Sequence, residues 1–140
     1  MIVLDTNVVS ALMSTRAGDL DAWLSTVDGE SLFTTAITRA EIRYGIARLP
    51  EGARRSGLVA RADALFEESA DRILPFDSAA ADRYGVLVAG RESAGRPISV
   101  ADAQIAAIAT VHRAAVATRN TKDFAGTGVS VVNPFPESTL

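Results

Sequence analysis

The apolar positions fall into short unbroken runs that alternate with longer stretches of helical spacing. Ile2-Val3-Leu4 is a continuous apolar run closed by Asp5, which predicts a buried strand ending in a carboxylate. Thr6 and Asn7 can cap the apolar stretch Val8 to Met13, which has room for about two helical turns. From Asp19 to Val27, Leu20, Trp23, Leu24 and Val27 form an i, i+3, i+4, i+7 stripe, and Asp28-Gly29 turns the chain. Leu32 to Thr35 predicts a second strand, with Thr38 capping a helix to about Leu49, where Pro50 interrupts it. Glu51 to Glu68 predicts a longer helix with Leu58, Ala62, Leu65 and Phe66 inward. Ile73 to Phe76 is a third strand, placed at an edge because of Pro75. Asp77 or Ser78 begins a helix to about Ala94, stopped by Gly95-Arg96-Pro97. Ser99 caps another to about Arg113, with Ile105, Ile108 and Val111 on its apolar face. Ala115 to Thr118 and Val129 to Val132 complete five strands, and Asn133-Pro134 ends regular structure.

Strands alternating with helices predict an α/β fold with a parallel sheet and right-handed crossovers. There is no repeat, low-complexity segment or linker, so residues 1–140 are expected to form one domain. Composition changes this picture only by exclusion. Apolar content of 48% with 22% charged residues is that of a globular chain. The absence of cysteine removes disulfides, zinc ribbons and thiol nucleophiles. No apolar run approaches the roughly 20 residues of a membrane span, and no basic stretch with a signal core opens the chain, so a cytoplasmic location is expected. A net charge of −3 argues against nucleic acid, yet thirteen of the fourteen basic residues are arginine, the side chain suited to gripping phosphate. Genomic base composition accounts for arginine bias equally well, so charge decides nothing.

The acids are more informative. Asp5 ends the first strand, while Thr38-x-x-Glu41, Ser99-x-x-Asp102 and Asn120-x-x-Asp123 each place an acid three residues after a capping side chain. Taken singly, each is an ordinary helix cap or Asx turn. Taken jointly, parallel strands put their carboxyl ends on one edge, so the four converge there if the first, second and fourth strands are neighbours. Four clustered carboxylates raise one another's pKa values and need protons or cations. An all-oxygen set without histidine or thiolate suits Mg²⁺ or Mn²⁺ and phosphoryl chemistry. His112, ten residues beyond Asp102 on one helix, lies about 15 Å away along the axis, too far to act beside it. Ser-His-Asp hydrolysis and zinc chemistry therefore lack parts, and neither a P-loop nor a Gly-x-Gly-x-x-Gly cradle is present.

Ile2-Val3-Leu4-Asp5-Thr6-Asn7, Glu41, Ile98-Ser99-Val100-Ala101-Asp102, Thr118-Arg119-Asn120-Thr121-Lys122-Asp123-Phe124 and the ending Val131-Val132-Asn133-Pro134-Phe135 together resemble a PIN domain, more narrowly the VapC/FitB-type toxins of bacterial toxin–antitoxin pairs. The resemblance covers essentially the whole chain. It implies a PIN-like three-layer fold with a five-stranded parallel sheet of order 3-2-1-4-5 flanked by helices. It also implies a Mg²⁺- or Mn²⁺-dependent endoribonuclease whose acidic quartet is Asp5, Glu41, Asp102 and Asp123, with Asn120 at a polar motif position. A cognate antitoxin that blocks the site, homodimerisation, and DNA contact only through the antitoxin follow from the same resemblance.

The expected chemistry is hydrolysis of an RNA phosphodiester by a water activated on a carboxylate-held metal. Asp5 and Asp102 are assigned as direct ligands, and Glu41 and Asp123 as direct or water-mediated ones. Thr6, Asn7 and Thr118 are assigned to hydrogen bonds around them. Arg39, Arg43, Arg96, Arg119 and Lys122 lie near the acids in sequence and are candidates for steering the RNA backbone. The Leu20–Val27 stripe with Ile42, Ile46 and Leu49 is a candidate groove for an antitoxin segment, centred near Trp23. Two rivals stand beside this reading. A haloacid-dehalogenase-like phosphatase also starts with an acid after its first strand, but needs a second Asp where Asn7 stands. A non-catalytic PIN-fold binding module would have no need of four mutually repelling charges.

Overall fold

The computed structural model describes residues 1–137. Five strands, β1 (Ile2–Leu4), β2 (Leu32–Thr35), β3 (Ile73–Leu74), β4 (Ala115–Ala117) and β5 (Val131–Val132), form one sheet in the order β3-β2-β1-β4-β5. Every pairing is parallel, with Ile2 opposite both Leu32 and Ala115. β1 is therefore the central strand, and β3, with Pro75 just beyond it, lies at an edge.

Side chains alternate across the sheet and thereby define two cores. Leu4 and Ala117 face α1 (Thr6–Leu12), α3 (Ala36–Ala47) and α4 (Ala53–Glu68), where Val8, Val9, Ile42, Ile46 and Phe66 are buried. Val3 and Val116 face the other way, against α5 (Ser78–Ser93) and α6 (Val100–Val111). The result is a three-layer sandwich with the sheet buried on both faces, which is why its strands read as apolar runs. In α6, Ala103, Ile105, Ala106, Ala107, Ile108 and Ala109 are all buried, so the helix is apolar nearly all round and sits deep in the fold.

Three expectations about local structure need correction. The Asp19–Val27 stripe is not one helix: a 3₁₀ turn over Ala17–Leu20 leads into a single α-turn, α2 (Asp21–Leu24), with Leu20 fully buried and Trp23 and Leu24 partly so. Thr38 does not cap α3. Thr35 does, its hydroxyl accepting the Thr38 amide at 3.1 Å, and Thr38 lies buried inside the first turn. The N-cap of α1 is Asp5 itself rather than Thr6 or Asn7. Caps at Asp77 and Ser99, and breaks around Pro50 and Gly95, stand where the sequence placed them.

Candidate active site

The strand order places the carboxyl ends of β1, β2 and β4 side by side. Asp5 leaves β1 in extended conformation, with its amide bonded to the Ala117 carbonyl of β4 at 3.0 Å. Its carbonyl accepts the amides of Val8 and Val9, so the chain turns into α1 at once and the carboxylate is left on the sheet edge. Asp5 is only 4% exposed. One oxygen accepts the Thr6 amide at 2.8 Å; the other accepts the Thr118 hydroxyl at 2.8 Å and the Asn7 side-chain amide at 3.3 Å.

These partners are themselves fixed. Thr118 donates its only hydroxyl proton to Asp5 and accepts from Asn7 Nδ2 at 3.1 Å and the Asn120 amide at 3.0 Å, which uses its full hydrogen-bonding capacity. Asn7 spends both amide protons on Asp5 and Thr118, and its oxygen accepts the Arg119 amide at 3.1 Å. Two turns of chain, after β1 and after β4, are thereby knotted around one carboxylate.

Glu41 reaches the same edge from the second turn of α3, where it is exposed. The Thr6 hydroxyl donates to its Oε1 at 2.6 Å and lies 3.1 Å from the Thr38 hydroxyl. Since Thr35, not Thr38, caps the helix, Glu41 falls outside any capping box and is held by a side chain of α1 instead. Asp102 does occupy the capping-box position: its amide donates to Ser99 Oγ at 3.2 Å. Asp123 sits exposed in a 3₁₀ turn over Thr121–Phe124 that follows β4, with its amide bonded to the Asn120 carbonyl at 3.0 Å. The Asn120 side chain makes no cap bond to that turn, contrary to the Asx-turn alternative.

The four acids feel one another. Burial pushes the Asp5 carboxyl above its ordinary value; the Thr118 and Thr6 hydrogen bonds oppose this, and the charges of Glu41 and Asp123 add to it. Asp102 is raised for the same first reason, with Ser99 opposing and Asp5, Asp123 and Glu41 adding. The ion pairs among the described residues, Arg16–Asp19, Arg43–Asp63 and Arg72–Asp71, include none of the four. Nor, among the described residues, do three acids already stand close enough together to hold one metal ion. The site is a shared field of negative charge rather than a closed coordination shell. Asp5 is its buried, fully hydrogen-bonded point, while Glu41, held by Thr6, and Asp123 are exposed.

The basic candidates separate into two groups. Arg39 and Arg43 pack over the Phe66 ring of α4, at 5.2 and 5.3 Å, and Arg43 also pairs with Asp63 at 2.8 Å. Their placement joins α3 to α4. Arg119 stacks on Phe135 at 3.9 Å while its backbone is tied to Asn7. Arg16, which the sequence did not single out, joins Arg119 in lining a cleft of about 230 Å³ with Asn7, Ser10, Ala11 and Ser14. Lys122 is exposed beside Asp123, and Arg96 lies against Gly126. His112 is the C-cap of α6, at the opposite end of the helix from Asp102.

The PIN domain family pattern matches residues 2–129. The chain belongs to the PIN domain family. It is 40% identical over 137 residues to VapC ribonuclease Y4jK of Sinorhizobium fredii, covering 96% of this chain and 98% of that one. It is 38% identical over 137 residues to toxin FitB of Neisseria gonorrhoeae, covering 96% and 99%. Among solved structures, FitAB bound to an IR36 DNA fragment superposes with a TM-score of 0.89 at 37% identity, covering 99% of both chains. The resemblance drawn from Asp5, Glu41, Asp102 and Asp123 is thus supported over nearly the whole chain, and so is the sheet order it implied.

Proposed function

We propose that this PIN-domain chain is the toxin of a type II toxin–antitoxin pair and acts as a divalent-metal-dependent endoribonuclease. The observation that carries the reading is the gathering of four charge-coupled carboxylates at the edge of the sheet, with none in the described ion pairs. The ribonuclease name of a relative at 40% identity supports the substrate class. In this reading the haloacid-dehalogenase-like alternative lapses, because Asn7 is a strut between Asp5 and Thr118 and not an acid.

The donor set fits a hard cation: oxygen only, partly buried and without a counter-charge. Asp5 and Asp102 would hold Mg²⁺ or Mn²⁺, with Glu41 and Asp123 as direct or water-mediated ligands. A bound divalent ion supplies positive charge against the phosphate oxygens and lowers the pKa of water beside it. The remaining work belongs to the chain. Thr118 and Asn7 fix the Asp5 carboxylate, and the Thr6 hydroxyl orients Glu41. Glu41 then presents its other oxygen to accept a proton from the attacking water. Asn120, exposed and without a cap bond, is free to donate to a phosphate oxygen. Arg119, 3.9 Å over the Phe135 ring, would offer positive charge beside Asn7 to the RNA backbone, with Arg96 and Lys122 on the Asp123 side and Arg16, paired with Asp19, lining the same cleft.

The remaining partners are proposed from the same family placement. The FitAB and VapBC neighbours include toxin–antitoxin complexes, several with DNA, so a cognate antitoxin is proposed here, with DNA reached through it; that the toxin itself is a homodimer is proposed from the family resemblance alone. A groove lined by Met13, Ile42, Ile46, Leu49, Arg54 and Leu58 runs up to Thr6 and Glu41 and suits an amphipathic antitoxin segment; Trp23 is not part of it. No described helix is long and apolar enough to cross a membrane. Sequencing RNA ends after expression of the native chain and of Asp5→Asn tests the reading. New 5′ ends at defined positions with the native chain alone are expected, and equal cleavage by the variant would overturn it.

A further inference from the structure

Arg91 is the buried cation for which neither the acidic motifs nor the proposed chemistry provides a use. It lies in the last turn of α5 and is 7% exposed. Its partners are all backbone carbonyls. Nε donates to the Arg96 carbonyl at 2.6 Å and Nη2 to that of Pro97 at 3.5 Å, while Nη1 donates to the carbonyls of Asp123, at 3.2 Å, and Ala125. No described ion pair includes it. A guanidinium left without a carboxylate in the interior is costly unless its donors are satisfied, and here a single planar fork meets two separate loops.

Those two loops carry two of the four acids. Residues 94–99 lead into α6, whose first turn bears Asp102; residues 119–127 bear Asp123. The first loop is gripped twice by the same residue. Gly95, at φ +70°, ends α5 with the Gly95 amide on the Glu92 carbonyl at 3.0 Å and the Arg96 amide on the Arg91 carbonyl at 2.9 Å, a Schellman closure. Arg91 thus accepts from Arg96 with its backbone and donates back to it with its side chain. The second loop crosses the same guanidinium, where Gly126 at φ +74° lies close to Arg91 Cδ and the Arg96 side chain.

We infer that Arg91 is a positioning residue for metal binding: one guanidinium staples the Asp102 loop to the Asp123 loop and sets the separation of those two carboxylates. It touches neither substrate nor metal and acts through the backbone of both. Lysine cannot replace it, because an ammonium lacks the planar fork that reaches the carbonyls of 96, 97, 123 and 125 together.

This inference rests on the metal-binding reading above, and the test separates the two. Thermal melts of the native chain, Arg91→Lys and Arg91→Gln are run across a Mn²⁺ titration without RNA, and RNA cleavage is measured across the same titration. The native chain should melt higher as Mn²⁺ rises. Both variants should need about 10–100-fold more Mn²⁺ for half of their own stabilisation and for half-maximal cleavage, with KM for RNA nearly unchanged. Variants that melt lower but respond at the native Mn²⁺ concentration would show a merely structural role and overturn the inference, leaving the metal reading intact. A native chain that ignores Mn²⁺ in both readouts would overturn the metal reading itself. Should neither variant fold, hydrogen exchange on the native chain decides: Mg²⁺ should protect residues 94–99 and 119–127 together, and protection of only one loop would contradict the staple.

Discussion

The two halves of the acidic edge are built in opposite ways. Around Asp5, side chains hold a side chain: Thr118, Asn7 and the Thr6 amide close on a buried carboxylate, and each of those partners is occupied in turn. Around Asp102 and Asp123, one half-buried and the other exposed, capping bonds and Arg91 fix the backbone beneath the carboxylates. The first arrangement fixes an oxygen in place; the second fixes a Cα and lets the oxygens move. A site that must assemble around a cation can use both, with one rigid ligand as reference and mobile ones that close.

That contrast can be broken most severely at its fixed point. Asp5→Asn should cut metal-supported RNA cleavage by about a thousandfold, about 4 kcal/mol of transition-state stabilisation, while circular dichroism shows a native fold. The same substitution should raise the melting temperature without metal, because it removes an ionised group that burial and like charges disfavour. Thr118→Val should cost less, about 10–100-fold in cleavage or metal affinity, since it frees Asp5 and leaves Asn7 Nδ2 and the Asn120 amide without their acceptor. Thr6→Val should cost about tenfold, because Glu41 loses its hydroxyl partner but keeps its place on α3. Asp63→Ala, which releases Arg43, should leave cleavage unchanged and move stability by less than about 1 kcal/mol in a denaturant titration.

The pH dependence sharpens the same comparison. Asp5 and Asp102 have folded pKa values raised above the ordinary 3.8, so the native state binds protons more tightly than the unfolded chain. Their contribution to stability is most favourable below 3.8 and is lost as pH rises through the raised folded values. Melts without metal should therefore show a declining contribution across that window. Asp5→Asn should flatten the decline more than Asp102→Asn, because Asp102 is only half-buried and better screened.

What the sequence made legible was the part encoded by contiguous pattern. Apolar runs located all five strands, and the caps Asp77 and Ser99 located two helices, because both signals lie within a few residues of the feature they mark. The stripe at Leu20–Val27 misled, since helical spacing is equally satisfied by a 3₁₀ turn followed by one α-turn. Thr38 reads as the cap because it precedes an apolar face, but the helix starts directly at the strand end, where Thr35 takes that place. The acids were legible as a set, and so were Thr6, Asn7, Thr118 and Ser99 as their hydrogen-bonding neighbours; which partner goes with which acid, and the part played by Arg91, were not. Glu41 depends on Thr6, thirty-five positions away, and Asp123 on Arg91. An arginine in the last turn of a helix ordinarily complements the helix dipole in solvent, and nothing local marks this one as buried. For Arg39 and Arg43, proximity to Glu41 in sequence does not say which face of α3 they leave from, and both pack over Phe66.

On the proposed reading the carboxylate edge works by holding a divalent cation, with Asp5 as its fixed point. Mn²⁺ binding measured calorimetrically on the native chain and on Asp5→Asn, with RNA cleavage followed in the same samples with and without chelator, tests it most directly. The account predicts binding and cleavage together in the native chain, both abolished by chelator and both lost in the variant. Cleavage that survives chelation, or an Asp5→Asn chain that binds Mn²⁺ and cuts RNA as the native one does, would contradict it.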